Sequence, residues 1–295
     1  MKILLENIDL GSSNGPNSFA KKLAPHVLSA GHTFAPVAEA DVSLCFIESF
    51  YTALHIPRIQ RLDGIYYNTQ FNYDAQNMNI KRTYGESQGV IYQSHYGKKL
   101  ITKFFGDHER STVIHNGADT ETISTTSPMK NTTEGGRIWS CAASWRPHKR
   151  LDDNIRYFLE HKSDKDILVV AGAVQEPKEE PSIYYMGNLT QKQLYAVYKA
   201  SDFFLHLGYL DCCPNVVVDA RACGAQVICT TSGGTQEVAG PDAIVIEEPE
   251  WDFQPIDLYN PPELNFDKKL QNTWKVEYDM KKVAEHYVKF IESSV

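Results

Sequence analysis

Residues 203–237, FFLHLGYLDCCPNVVVDARACGAQVICTTSGGTQE, concentrate the side chains whose types and spacing can do chemistry. Asp211 and Asp219 stand eight residues apart, and Pro214 between them suits the first turn of a helix. The backbone N–H groups around Cys213, Pro214, Asn215 and Val216 then lie at a helix N-terminus, where unpaired donors and the helix dipole favour a phosphate. A carboxylate at Asp219, one turn beyond Asn215, can accept hydrogen bonds from a ribose diol, and Asp211, before the turn, can do the same for sugar hydroxyls. Neither use of acid needs a metal. Taken singly, Asp211 also reads as a loop acid and Asp219 as part of a solvated face. Val216, Val217, Val218 and Ala220 tilt the balance, because they describe a buried helix on which a lone carboxylate is poorly hydrated.

Such groups must be carried by strands and helices in alternation. Residues 1–9 form an apolar run ended by Gly11, Ser12, Ser13, Asn14 and Gly15, after which Phe19, Leu23, Val27 and Leu28 recur at helical spacing as far as Gly31 and His32. Further strand-like runs occupy 42–47, 59–67, 89–93 and 112–115, then 137–142, 167–171, 183–186, 203–207, 226–229 and 243–247, with helical patterning between most of them. Strands alternating with helices imply right-handed crossovers and parallel sheets. Residues 117–136 are rich in Ser, Thr and Gly without periodicity and read as a linker. Beyond the prolines at 249, 255, 261 and 262, Val276, Met280, Val283, Tyr287 and Phe290 share one face of a closing helix. The expected organisation is a first Rossmann-like domain over 1–125, a second over 126–275, and a helix over 276–295 that packs back on the first domain.

At roughly 100 to 200 residues per domain, 295 residues suit two domains, and 42% hydrophobic with 22% charged residues excludes collagen, low-complexity disorder and a disulfide mini-protein. The net charge of -8 is carried wholly by residues 131–295, with 17 basic against 25 acidic residues, while 1–130 hold 12 of each. That balance argues against nucleic acid as a partner, whose affinity rests on Lys and Arg displacing counterions. Six cysteines form no C-x-x-C pair, and Glu6 interrupts the N-terminal apolar run too soon for a signal-peptide core, so a cytoplasmic location is expected. No apolar run approaches the ~20 residues of a membrane span. Asp164 and Asp166 make a D-x-D that precedes a strand and reads as a turn; the cysteines and His206 lack zinc-ligand spacing; G-x-S-x-G and the P-loop motif are absent.

The segment 203–237 resembles the signature of retaining GT-B glycosyltransferases of family 4: an acid, seven residues, a second acid, A-x-A-x-G, an apolar strand and G-G-x-x-E. Here these are Asp211, Asp219, Ala220, Ala222, Gly224, the run 226–229, Gly233, Gly234 and Glu237. The family has Glu where this chain has its two Asp residues. STVIHNGAD at 111–119 and SWRPHKRLDD at 144–153 resemble, in the family's order, the turn closing the first domain and the phosphate-binding basic segment opening the second.

The resemblance implies two Rossmann-like domains with parallel sheets facing a central cleft, and retaining sugar transfer from a UDP- or GDP-linked donor to a glycan, lipid-linked or small-molecule acceptor, without metal or other cofactor. It implies Lys149 as a diphosphate contact, with Arg146 standing in for the family's Arg, whose position is taken by Ser144. It adds Cys212 to the donor loop formed by Asp211, Cys213, Pro214, Asn215 and Val216, and places the base against Gly187, Asn188 and Leu189. In the first domain it implicates Gly11 and Gly15 beside donor or acceptor, though a plain strand-to-helix turn fits them equally. Asp63 stands where the family puts a polar residue facing the reacting sugar, and also reads as a turn-forming Asp-Gly. Peripheral membrane contact is compatible with these expectations. Two alternatives keep the fold: a sugar-nucleotide 2-epimerase, and a non-catalytic nucleotide-sugar or glycan-binding module.

Overall fold

The computed structural model of the chain describes residues 1–12 and 14–295. It divides into two α/β units, the first made of Met1–Ala118, Asp252–Ile256 and Glu277–Val295, the second of Asp119–Trp251 and Asp257–Val276. The first unit opens with strands β1 (Lys2–Glu6), β2 (Thr33–Phe34), β3 (Val42–Phe46), β4 (Arg58–Leu62), β5 (Gly89–Tyr92) and β6 (Ser111–Val113), and helices α1 (Gly15–Ser29), α2 (Tyr73–Glu86) and α3 (His95–Phe105). All neighbouring strands pair in parallel, in the order β2-β1-β3-β4-β5-β6. Each helix starts where a short polar side chain can hold an unpaired N–H: Asn14 accepts from Asn17, Asn72 from Ala75, and Ser94 from Gly97. Strands β3, β4 and β5 are buried along their whole length, as expected of a parallel sheet covered on both faces.

The second unit begins with α4 (Thr120–Thr125) and β7 (Ile138–Ala142), followed by a 3-10 turn, Pro147–Lys149. Then come α5 (Leu151–His161), β8 (Ile167–Ala171), β9 (Ile183–Gly187), α6 (Gln191–Ala200), β10 (Phe203–His206), α7 (Asn215–Ala222), β11 (Gln226–Thr230), α8 (Thr235–Ala239), β12 (Ile244–Ile246) and β13 (Lys269–Gln271). The sheet order is β13-β12-β11-β10-β7-β8-β9, parallel except for β13. The last helix, α9 (Met280–Glu292), belongs to the first unit, where Met280, Val283, Ala284, Tyr287 and Ile291 join Phe19, Leu23 and Val27 of α1 in one core.

Several sequence expectations need correction. The linker at 117–136 contains helix α4, capped by Asp119 and tied down by Lys199, whose Nζ donates to the carbonyls of Ile123 (3.0 Å) and Thr126 (2.7 Å). The structural division therefore falls after Ala118, whereas the sequence suggested 125. Pro214 precedes α7 as its N-cap residue, with extended backbone, and the first helical turn starts at Asn215. Val276 lies outside α9; its carbonyl accepts from Arg221 Nη1 at 3.3 Å, and Asp279 caps the helix by accepting from Lys281 N at 2.8 Å. The short edge strands β2 and β13 escape a sequence reading because two or three largely exposed residues leave no apolar run.

The two strand orders fix where a ligand fits. In an open parallel sheet the loops leaving neighbouring strands diverge at the point where the order reverses, and ligands bind outside the carboxyl ends there. In the second unit that point lies between β7 and β10; in the first it lies between β1 and β3.

Candidate functional site

The loops leaving β7 and β10 are built to hold one charged pair. Lys149 ends the 3-10 turn after β7, and Arg150 follows in left-handed backbone (φ 53°, ψ 51°). The guanidinium of Arg150 is buried, pairs with Glu248 at 2.8 Å, donates to the Pro262 carbonyl at 2.7 Å and lies 4.9 Å from the centre of the Tyr209 ring. Asn154 donates to the carbonyls of Lys149 (3.2 Å) and Arg150 (2.7 Å) and accepts from the N–H of Leu207 (3.2 Å). With Tyr209 N–H donating to the His148 carbonyl at 2.7 Å, the turn is stitched to the end of β10 by main-chain and buried contacts.

The loop after β10 is fixed from its other side. Leu210 has a positive φ of 56° and donates to Ser232 Oγ at 2.8 Å, while Gly234 N–H donates to the Asp211 carbonyl at 2.8 Å. Gly233 has φ 75°, and a Cβ there would stand 2.4 Å from the Asp211 carbonyl oxygen, so only glycine fits. The Gly-Gly turn of the signature thus seats the backbone of Asp211.

The outcome is an ion pair between Lys149 Nζ and Asp211 Oδ2, with His206 Nε2 3.2 Å from the same oxygen. His206 ends β10 and is buried, whereas the Lys149 and Asp211 side chains keep 21% and 16% of their exposure. Burial by itself would raise the Asp211 carboxyl, but the Lys149 ammonium and the His206 hydrogen bond outweigh it and hold the group well below the usual carboxylate range. Burial lowers the pKa of His206, opposed by Asp211. His148, stacked on Tyr259 at 5.7 Å and 4°, is lowered to about 4 by burial and then by Lys149. The site therefore presents an ammonium and a carboxylate between neutral imidazoles.

Most of the remaining expected donor residues also gather in the second unit at the ends of its strands. Arg146 is exposed and precedes the 3-10 turn. Cys212, Asn215 and Val216 are half-buried and Cys213 and Pro214 buried; the Pro214 carbonyl accepts from Val217 N at 3.1 Å. Asp219 is buried on α7. Gly187 ends β9 at φ 62° and its carbonyl accepts from Gly172 N at 2.7 Å, Asn188 Oδ1 accepts from Ala173 N at 3.2 Å, and Leu189 is half-buried.

In the first unit Gly11 and Gly15 are exposed after β1, at the point where the strand order reverses; Gly11 N–H donates to Asp9 Oδ1 at 2.8 Å, and Ser13 between them lies outside the described residues. Asp63 follows β4 and is ion-paired with Arg61, with Gln93 also hydrogen-bonded to its carboxyl; burial raises its pKa against both partners. Arg61 is sealed into the core over the rings of Phe19 (4.1 Å) and Phe46 (5.1 Å), donating to Tyr287 Oη (3.0 Å) and Asn116 Oδ1 (2.8 Å).

Other patterns resolve as structure. Asp164 and Lys165 form a turn, and buried Asp166 accepts from Arg137 N–H (2.9 Å) and Trp139 Nε1 (3.0 Å). Burial pushes the Cys229 thiol up to about 12, and burial with the Asp219 charge does the same for Cys223, which makes poor nucleophiles of both. The residue that sequence reasoning missed is His206. Its sequence context shows only that zinc-ligand spacing is lacking, and its contact with Asp211 Oδ2 forms across a loop that no local pattern marks.

Residues 137–253 match the family model of glycosyl transferases group 1. No curated protein matches the chain by sequence. Among solved structures, the chain is similar to HepE of Anabaena in complex with UDP and glucose (TM-score 0.70, 13% identity, 99% of this chain and 100% of that one). It is also similar to sucrose-phosphate synthase from Thermosynechococcus elongatus (0.67, 11%, 83% and 86%) and to a glycosyltransferase from Rickettsia africae (0.60, 13%, 99% and 93%). The fold is that of GT-B glycosyltransferases: two Rossmann-like units with parallel sheets and a C-terminal helix. Among the described residues no helix is long and apolar enough to cross a membrane.

Proposed function

We propose that this protein is a retaining, metal-independent glycosyltransferase of family 4 type that moves a hexose from a nucleoside-diphosphate donor to a glycan, lipid-linked or small acceptor in the cytoplasm. The observation that carries the reading is the Lys149–Asp211 pair at the order reversal of the second sheet, where a ligand is expected. When the bond between the sugar C1 and the diphosphate oxygen breaks, positive charge grows on the ring and negative charge on the leaving group. An aligned cation and helix N-terminal amides stabilise that separation without reorganising. Lys149 is the cation, Arg146 its exposed companion, and the start of α7 at Asn215 and Val216 the amide donor.

Asp211 holds Lys149 through Oδ2, and its Oδ1, with no hydrogen-bond partner among the described residues, takes a hydroxyl of the sugar. Asp219 takes the ribose diol and Gly187, Asn188 and Leu189 the base. The acceptor oxygen attacks C1 on the face the diphosphate leaves and gives its proton to a leaving phosphate oxygen, so no enzymatic nucleophile is used. Asp63 is a poor candidate for one, because Arg61 and Gln93 engage its carboxyl and burial favours its protonated form. UDP donors come first for testing because HepE was solved with UDP and glucose.

The test is a thermal-shift screen of nucleotide sugars followed by product analysis with the donor that stabilises the fold, since a ligand bound only by the native state raises its melting temperature. A glycosylated product whose anomeric configuration matches the donor supports the reading. A free sugar or 2-epimer as sole product, or donor binding without turnover across a broad acceptor panel, overturns it.

A further inference from the structure

We propose that His206 is a positioning residue for the diphosphate contact: its Nε2–H keeps Asp211 in place so that the Lys149 ammonium can turn from Asp211 to a bound diphosphate. The inference rests on the reading of Lys149 as the diphosphate ligand. His206 Nε2 lies 3.2 Å from Asp211 Oδ2, the oxygen that Lys149 also contacts. An ionised carboxylate only accepts hydrogen bonds, so the imidazole proton facing it sits on Nε2. Asp211 is largely withdrawn from water, and a carboxylate in that state is costly without a partner. If Lys149 were its sole donor, every approach of Lys149 to an anion would strand that charge, and the pair would stay closed. A second donor on the same oxygen removes the penalty and leaves the ammonium free to move.

The imidazole is well fixed for the task. It is buried at the end of β10, and a Cβ at Gly208 would stand 3.1 Å from its Nε2, so glycine at 208 leaves the room that the ring occupies. The Asp211 backbone is independently held by Gly234, so loss of His206 changes the carboxylate's partners more than its position.

Calorimetric titration of inorganic pyrophosphate into the full chain tests the proposal, because this probe presents diphosphate charge without base or sugar. Lys149→Ala is expected to weaken binding roughly tenfold or more, and His206→Leu, which acts through Asp211, roughly three- to tenfold, as the net loss of one ordinary hydrogen bond goes. His206→Gln, which restores an N–H, is expected within roughly twofold of the parent protein, and the His206→Leu/Lys149→Ala double variant no weaker than Lys149→Ala alone. A mere packing role gives multiplied losses and no rescue by Gln, which overturns the assignment. So does parental binding by His206→Leu when Lys149→Ala is impaired, which leaves the diphosphate reading standing. Parental binding by Lys149→Ala, or no pyrophosphate binding by the parent protein, removes that reading and the His206 role with it. Should His206→Leu fail to fold, long-range 1H–15N NMR of the parent protein decides: a proton on Nε2 is expected, and one on Nδ1 overturns the inference.

Discussion

Each unit carries an acid–base pair at the carboxyl end of its parallel sheet, Arg61–Asp63 in the first and Lys149–Asp211 in the second, and the two are put to different use. Arg61 is 1% exposed, lies over two aromatic rings and donates to Tyr287 of the closing helix, so its charge is spent inside the core. Lys149 is 21% exposed, stands where the strand order reverses, and owes its position to a turn anchored by Arg150 and Asn154. Burial decides the difference. A desolvated cation ringed by partners cannot be released to a ligand, whereas a partly exposed one on a rigid turn can exchange a carboxylate for a phosphate.

The comparison is broken most directly at its buried member. Arg61→Met is expected to cost about 3–5 kcal/mol, the penalty for leaving one partner of a buried pair uncompensated, and denaturant titration reads it. A loss below about 1 kcal/mol would place Arg61 with the surface pairs. Lys149→Ala sharpens the other side: turnover is expected to fall roughly a hundredfold, as for loss of one preorganised charge donor, with the melting temperature little changed. A large loss of stability with normal turnover would reverse the roles of the two pairs. Asp219→Ala should act on donor binding, raising KM roughly tenfold while kcat is kept, as for an interaction made equally in ground and transition states. A fall in kcat at unchanged KM would move Asp219 from the ribose to the reacting sugar.

The smallest effect concerns pH. His148 in the folded protein is lowered from 6.5 to about 4, so between these values the unfolded chain binds more protons and stability falls as the pH drops. His206 is shifted in the same direction, while the contribution of Asp211 is lost only below the ordinary carboxylate value of 3.8. His148→Phe, which keeps a ring against Tyr259, should flatten the decline by up to about one proton per molecule. An unchanged slope between pH 6.5 and 4 would show that His148 titrates normally.

Much of this was legible in the residues alone. Alternating apolar runs and helical periodicity mark the main parallel strands because a strand buried on both faces is mostly apolar, as β8 is; β4, which buries Arg58, Gln60 and Arg61, departs from that pattern. Asp211, Asp219 and the Gly-Gly turn were readable because their spacing is dictated by local geometry: a loop, one helix, one strand, one tight turn. Helix α4 was not, since its six residues are four Thr/Ser with one buried Ile123, and its place comes from Lys199, far along the chain. His206 stayed hidden for the same reason, its meaning residing in a contact with the carboxylate across a loop.

The sequence by itself determined the parallel α/β architecture, the existence of two units and the short-range order of the second unit's signature, because periodicity, turn chemistry and strand burial are properties of neighbouring residues. Only the tertiary structure decided which charges are spent and which are available. Arg61 and Lys149 look alike as basic residues near strand ends. Sheet order and the burial it imposes, which depend on residues dozens to hundreds of positions apart, seal one in the core and leave the other at the sheet's point of reversal.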